Sequence, residues 1–197
     1  MALYPDYADV QAYKDWVYIG DTDDDTQIGV ALTSASRAID HHCNRQFGLA
    51  SSAAARYETA ETTLFVKIFD VQTTTNMVVK VDSDKDGVYE TTLTLGTHFR
   101  LTPRNAPGDG VPWTGLEILP GSSYFLPCHA GGVEITAVWG WTAVPDAVVQ
   151  ATLLQADVLM KRRQQGLGQD YTTTSRYLDR DVQQILRPVR RWWAVAA

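Results

Sequence analysis

Residues 131–166 read GGVEITAVWGWTAVPDAVVQATLLQADVLMKRRQQG, and a change of period within this stretch decides the fold. Up to Trp141 the larger apolar residues alternate with other residues, which is the period-2 pattern of a half-buried strand. After Pro145 apolar residues recur every three or four positions, which is typical of a helix, and a first-turn proline is a usual helix start. The apolar positions of this predicted helix are Val148, Ala151, Leu154, Val158 and either Met160 or Lys161.

The segment from residue 50 to residue 141 keeps the strand pattern throughout. Short runs rich in β-branched and aromatic residues are separated by Gly, Pro, Asn and Asp, which favours several short strands. We therefore predict an antiparallel β module, either a small barrel or a sandwich. The segment 103–115 (PRNAPGDGVPWTG) carries three prolines and three glycines, so we expect a long, irregular contact loop there.

Helical periodicity precedes and follows this module. Tyr7–Ile19 predicts a short helix and residues 25–46 predict a long one. The stretch 175–189 predicts another short helix, which stops before Pro188. The long helix has one apolar stripe, formed by Ile28, Leu32, Ala35, Ile39, Cys43 and Phe47. The predicted fold class is α+β. Residues 1–48 and 143–186 would form a helical bundle core, 49–142 an inserted antiparallel β module, and 187–197 a C-terminal docking tail.

Charge is unevenly distributed along the 197 residues. The net charge is −6, but residues 157–197 carry eight basic and four acidic residues, a net charge of +4, which leaves −10 for residues 1–156. An acidic body with a basic end suggests an end that docks on a negative surface, although a simply solvated charged end is the alternative. No apolar run approaches the ~18 residues of a membrane span, and the N-terminus lacks a signal-peptide pattern, so we expect no membrane partner.

The stretch VDSDKDGVYE (81–90) resembles the start of a calcium loop, with Asp82, Asp84 and Asp86 alternating before Gly87. An EF-hand loop needs a bidentate glutamate at its twelfth position, where this chain has Leu93. The flanking runs also read as strands, and Asp-Gly between two strands is a hairpin signal. We therefore predict a hairpin with a solvated acidic tip, while calcium binding stays the alternative.

No other pattern of residues gives a strong indication of chemistry. His41, His42 and Cys43 are adjacent on the predicted helix and therefore point in different directions, and a composite zinc site with Cys128 and His129 would need a coincidence of folding. The chain has no phosphate-binding loop, no dinucleotide fingerprint, no HExxH and no GxSxG. We expect no catalytic residue, no cofactor and no metal.

Two long stretches carry a family resemblance, residues 7–47 (YADVQAYKDWVYIGDTDDDTQIGVALTSASRAIDHHCNRQF) and residues 133–166. They resemble the head–tail connector proteins, also called adaptor or head-completion proteins, of long-tailed double-stranded-DNA bacteriophages. The first stretch has the acidic turn and a helix with the A-S-R-x-I-D…C-x-R-x-F pattern, and the second has a W-G-W…V-P corner. The matching residues are Ala35, Ser36, Arg37, Ile39, Asp40, Cys43, Arg45, Phe47, Trp139, Gly140, Trp141, Val144 and Pro145.

The resemblance implies a structural virion protein without catalysis. The two cysteines are too few for a disulfide framework, so we expect assembly in the reducing host cytoplasm. Such proteins form a ring, commonly twelvefold, beneath the portal; they extend the DNA channel and present a surface for the next connector or tail component. The expected partners are the portal, neighbouring copies, that next component and passing double-stranded DNA, which is not bound by sequence. The resemblance implies that the C-terminal segment docks on the portal. Its expected anchors are Arg187, Arg190, Arg191, Trp192 and Trp193.

A ring of identical subunits needs a heterologous interface, in which one face meets a different face of the next copy. We expect acidic residues of one copy to meet basic residues of its neighbour. The acidic set is Asp21, Asp23, Asp24 and Asp25, and the basic set is Lys161, Arg162 and Arg163. Two other functions stay open: a tail-associated β module that binds carbohydrate or calcium, and an uncharacterised hydrolase.

Overall fold

The computed structural model describes residues 5–164 and 178–191. The described residues separate into two compact units, a β unit formed by Leu49–Thr142 and a helical unit formed by residues 5–48, 143–164 and 178–191. In chain order the elements are α1 (Val10–Val17), α2 (Asp25–Cys43), β1 (Ala54–Glu58), β2 (Phe65–Val71), β3 (Val78–Val81), β4 (Thr91–Leu93), β5 (Phe99–Thr102), α3 (Ala106–Asp109), β6 (Trp113–Ile118), β7 (Val133–Ala137), α4 (Asp146–Gln164) and α5 (Arg180–Leu186). Helices and antiparallel sheets together confirm the α+β class.

The core of the helical unit is built along one face of α2. All six residues of the apolar stripe predicted for this helix are buried, and Ala35, Ile39, Cys43 and Phe47 are fully so. Ile28 and Leu32 pack in one cluster with Tyr13 of α1 and Ala156 of α4. Because an apolar stripe with helical spacing places its side chains on one side, a single helix can contact two neighbours there. The predicted stripe of α2 is confirmed.

The buried face of α4 differs from its predicted one. Val148, Ala151 and Met160 are buried as predicted, but Leu154 and Val158 are partly exposed. The polar residues Thr152 and Gln155 are buried instead. Both polar groups have hydrogen-bond partners. The Thr152 hydroxyl donates to the carbonyl of Val148 at 2.8 Å, and Gln155 Oε1 accepts from the Asp179 N–H at 3.0 Å. Because α4 packs against both α2 and α5, its buried face is wider than an apolar stripe and includes polar residues.

The β unit contains two antiparallel sheets. One has the strand order β1-β7-β3-β4 and the other β2-β6-β5. Val133 of β7 pairs with Glu58 on one side and Val81 on the other, so β7 lies between β1 and β3. Trp139 and Trp141 follow β7 and are both buried; their indole N–H groups donate to the Ala54 carbonyl at 2.7 Å and to the Asp70 carboxylate at 3.1 Å.

The two loops that the sequence singles out have defined structures. The aspartate stretch connects β3 to β4, which pair antiparallel in the register Val81↔Thr91, so the predicted hairpin is confirmed. The segment 103–115 was expected to be irregular but contains the short helix α3. Gln72 Nε2 donates to the Gly110 carbonyl at 2.9 Å and fixes the end of this helix. Across the described ranges, no helix combines the length and the apolar character needed to cross a bilayer.

Candidate interaction surfaces

The N-terminal segment before α1 is held on α2 by a series of hydrogen bonds. The Tyr7 N–H donates to Ser36 Oγ at 3.1 Å, and the Tyr7 hydroxyl accepts from the Phe47 N–H at 2.9 Å while it donates to the Asp40 carboxylate. Thr33 Oγ1 also donates to Asp6 Oδ2 at 2.6 Å. These bonds join parts of the chain that lie 27 to 40 positions apart, so they fix the direction from which the chain enters α1.

This cluster changes the acidity of both partners. Burial raises the pKa of Asp40 to about 6, although the hydrogen bond from Tyr7 and the charge of Arg37 favour the carboxylate. Burial, and then the hydrogen bond to Asp40, raises the pKa of the Tyr7 hydroxyl. Arg37 Nε lies 3.1 Å from Asp40 Oδ2. Since these groups are mutually bonded, we assign the cluster a structural role.

The turn between α1 and α2 presents a surface that we call the turn patch: Trp16, Tyr18, Ile19, Asp21, Asp23 and Asp24. All six are exposed, and Tyr18 is 96% exposed. Tyr18 also caps α1 in the left-handed conformation, with φ 60°. Asp25, by contrast, is half-buried in an ion pair with Lys14 at 2.9 Å.

A second surface lies at the opposite end of α2. We call it the α5 groove: a concavity of about 260 Å³ lined by His42, Arg180, Gln183, Gln184, Arg187 and Arg190. Burial, and then the positive charge of Arg190, lowers the pKa of His42. A neighbouring concavity of about 310 Å³ is also lined by His42, together with His41 and Arg162. Cationic side chains therefore gather around the C-terminal end of α2.

The start of the predicted docking tail packs on its own unit. The Arg191 N–H donates to the Cys43 carbonyl at 2.9 Å, and Arg45 Nη1 donates to the Val189 carbonyl at 2.9 Å. Arg191 is 5% exposed, Arg190 is half-buried and Arg187 is exposed. Trp192 and Trp193 lie outside the described residues. Of the five predicted anchors, the structure brings Arg187 and Arg190 together in the α5 groove.

In the predicted basic partner set, residues 161–163, the two described side chains have different surroundings. Lys161 Nζ pairs with Asp157 Oδ2 of the preceding turn at 2.6 Å. Arg162 lines the concavity beside the α5 groove, and the side chain of Arg163 lies outside the description. The predicted acidic set is mostly on one surface, since Asp21, Asp23 and Asp24 belong to the turn patch.

The aspartates of the β3–β4 loop form a cluster whose carboxylate oxygens lie within 4.8 Å of one another: Asp82, Asp84 and Asp86. Asp82 is buried, and its carboxylate accepts from the Lys85 N–H at 2.7 Å and the Gly87 N–H at 3.0 Å. Burial opposes ionisation of Asp82, but these N–H groups outweigh it and lower its pKa. The hydrogen bonds within the loop therefore explain the position of the Asp82 side chain, whereas Asp84 and Asp86 are exposed.

The two cysteines differ in environment. Cys43 is fully buried, and burial raises the pKa of its thiol to about 12. Cys128 is exposed and belongs to the β unit. Cys43 lies at the end of α2, where its carbonyl receives the Arg191 N–H.

Sequence patterns missed two features of these surfaces. Tyr18 reads as part of a short helix, and only its position two residues before Gly20 hints at a helix end. From the sequence, Arg180 is one charged residue on a solvated helix. The groove that it lines also contains His42, which comes near only in the folded chain. Both depend on tertiary structure.

No protein-family model and no curated protein matches this sequence. Among solved structures, the chain is similar over 100% of its length to 96% of a chain in the neck of an empty GTA particle, computed with C6 symmetry. The TM-score is 0.61 and the sequence identity is 18%. The two chains therefore share a fold, which is the α+β architecture described above.

Proposed function

We propose that this chain is a structural component of the neck of a phage-like particle and acts as a head-to-tail adaptor. The observation that carries the proposal is the likeness of fold, which extends over the whole chain and nearly the whole of the GTA neck chain. The resemblance of residues 7–47 and 133–166 to phage connector proteins supports it independently, since it rests on sequence. In this role the chain would be located in the virion.

The finer parts of the proposal concern assembly. Copies would form a ring beneath the portal, commonly of twelve, which is compatible with the sixfold symmetry of the GTA neck because twelve is a multiple of six. The ring would extend the DNA channel and receive the next connector or tail component. A chain of net charge −6 suits a channel that DNA traverses without binding, because basic surfaces hold phosphates strongly.

The chain end is the proposed portal contact, with Trp192 and Trp193 as anchors beyond Arg191. Because Arg191 bonds to Cys43, a truncation should begin after it. We expect removal of residues 192–197 to leave a folded protein that no longer binds the purified portal, as measured by native mass spectrometry. Full binding by this truncated chain would refute the portal contact.

The neck assignment itself is tested by deleting the gene from the particle-producing genome. We expect heads and tails that remain separate in electron micrographs, with joining restored by the full-length chain. Intact joined particles that lack the protein would refute the assignment.

A further inference from the structure

Tyr18 combines two unfavourable features. It is 96% exposed, and its backbone has φ 60° at a helix end that usually carries glycine or asparagine. A bulky residue in this left-handed conformation is strained, because its Cβ lies too close to the backbone. A strained, exposed aromatic side chain is a reason to look for a partner that buries it.

The surroundings of Tyr18 define what that partner must offer. Trp16 and Ile19 extend the apolar area, and the exposed carboxylates of Asp21, Asp23 and Asp24 follow directly. A fitting partner therefore has a concave surface that accepts an aromatic ring and carries positive charge around it. Tyrosine and arginine are residue types that dominate interface energies, and an arginine stacks well on an aromatic face.

The same helical unit carries such a surface, the α5 groove, with three arginines and His42 around its concavity. Asp179 and Asp181 flank Arg180 at the start of α5, where Asp179 is the helix cap and accepts from the Asp181 N–H at 2.9 Å. The groove is therefore cationic where Arg187 and Arg190 line it.

The two surfaces of one copy cannot meet. The turn patch immediately precedes the first residue of α2, whereas the groove contains His42 at its end. Since α2 has 19 residues, its ends are separated by about 28 Å. The turn patch and the α5 groove lie at opposite ends of α2, so each can contact its complementary surface only on another molecule.

We propose that the turn patch of one copy docks in the α5 groove of the next copy, with the ring of Tyr18 against the groove arginines. Each contact leaves one patch and one groove free, so the association is head-to-tail and continues until it closes. Ring closure rests on the proposed function, and the pairwise contact does not. In this arrangement Arg187 and Arg190 contact the neighbouring copy and not the portal. Trp192 and Trp193 remain the proposed portal anchors.

The two parts of the contact have different roles. Exposed ion pairs contribute little to binding, whereas a buried aromatic anchor contributes much more. Burial of Tyr18 should therefore set the strength of the contact, and the charges should set its direction and its salt dependence.

Tyr18→Asn separates association from folding. Asparagine tolerates the left-handed conformation, so the variant should unfold at the same or a higher denaturant concentration than the wild type. We expect its self-association, measured by sedimentation up to about 1 mM, to weaken tenfold or more. Phe125→Asn is the matched control, because it removes another exposed aromatic residue, 62% exposed, from the β unit and should leave association unchanged.

Charge exchange tests the pairing directly. Asp21→Lys/Asp23→Lys and Arg180→Glu/Arg187→Glu should each self-associate more weakly than the wild type, because like charges then face each other. Their equimolar mixture should associate again, since each copy meets a complementary partner. Self-association of either double variant at wild-type strength would overturn the proposal.

A cross-link in assembled particles completes the test if the free wild-type chain is monomeric. We expect Ile19→Cys/Gln184→Cys, which keeps Tyr18, to form disulfide-linked multimers within particles when exposed Cys128 is replaced by serine. A chain that is monomeric in solution and forms no such multimers in particles refutes the interface. If the chain is absent from particles although the charge-exchanged pair associates, the neck assignment fails while the interface stands.

Discussion

The hydroxyl of Tyr7 donates its hydrogen to the carboxylate of Asp40, a residue 33 positions further along the chain. The same hydroxyl accepts the N–H of Phe47 at 2.9 Å. One phenolic oxygen therefore connects the N-terminal segment both to α2 and to the residues that follow it.

Tyr7→Phe should destabilise the helical unit. The substitution keeps the ring but leaves the buried Phe47 N–H and the Asp40 carboxylate without this partner, which costs about 1–3 kcal/mol. Chemical denaturation measures the effect. Tyr18→Phe is the matched control, because the Tyr18 hydroxyl is in solvent and its removal should change the free energy of unfolding by less than about 0.5 kcal/mol. Equal losses in the two variants would contradict the role of Tyr7.

The raised pKa of Asp40 predicts a specific pH dependence. A carboxyl whose pKa is about 6 in the folded state, against 3.8 ordinarily, binds its proton more tightly when folded. Its contribution to stability is therefore fully present below about pH 4 and is lost as the pH rises through about 6. Relative to Asp40→Asn, the wild type should lose roughly 1–3 kcal/mol of stability over this window. A constant difference between the two proteins across it would contradict the shift.

Asp82→Ala and Asp84→Ala should differ sharply. Asp82 is buried and accepts two backbone N–H groups, so its removal should cost about 1–3 kcal/mol. Asp84 is exposed, and its removal should be nearly neutral. Thermal unfolding with and without calcium adds the second readout, and we expect no calcium-dependent rise. A rise in the wild type that Asp84→Ala abolishes would instead support the calcium alternative.

Gly115→Ala should destabilise the β unit. An added Cβ would lie 2.5 Å from Thr102 Oγ1 and 2.8 Å from the Phe65 ring, so a neighbouring side chain must shift, and overpacking costs about 1–3 kcal/mol. Gly108→Ala in α3 is the matched control, since nothing lies within 4 Å of the added atom. Calorimetry should show a lower transition temperature only for Gly115→Ala.

The sequence predicts those elements in which the buried residues recur with one regular spacing. The stripe of α2 is correct in all six positions because its buried contacts lie on one face. The stripe of α4 is partly wrong because Gln155 is buried through a bond to Asp179, and no local pattern records such a partner. The β3–β4 hairpin could be predicted from Asp-Gly between two strands, whereas the order β1-β7-β3-β4 could not, because pairing of distant strands leaves no local signal.

The candidate surfaces were only partly accessible to sequence reasoning. The acidic residues at positions 21–25 are interrupted only by Thr22 and could be recognised as a group. The α5 groove combines residues from position 42 and positions 180–190, which come together only through tertiary packing. The left-handed backbone of Tyr18 likewise follows from how α1 ends, because its N–H bonds back to the Lys14 carbonyl.

The contrast between the two cysteines has a practical consequence for counting subunits. A maleimide dye reacts with thiolates, so at neutral pH it should attach to exposed Cys128 and spare Cys43, which is fully buried and has a pKa of about 12. The unmodified sequence thus accepts one fluorophore per molecule. Stepwise photobleaching of single labelled particles would then give the copy number of the chain without any engineered tag.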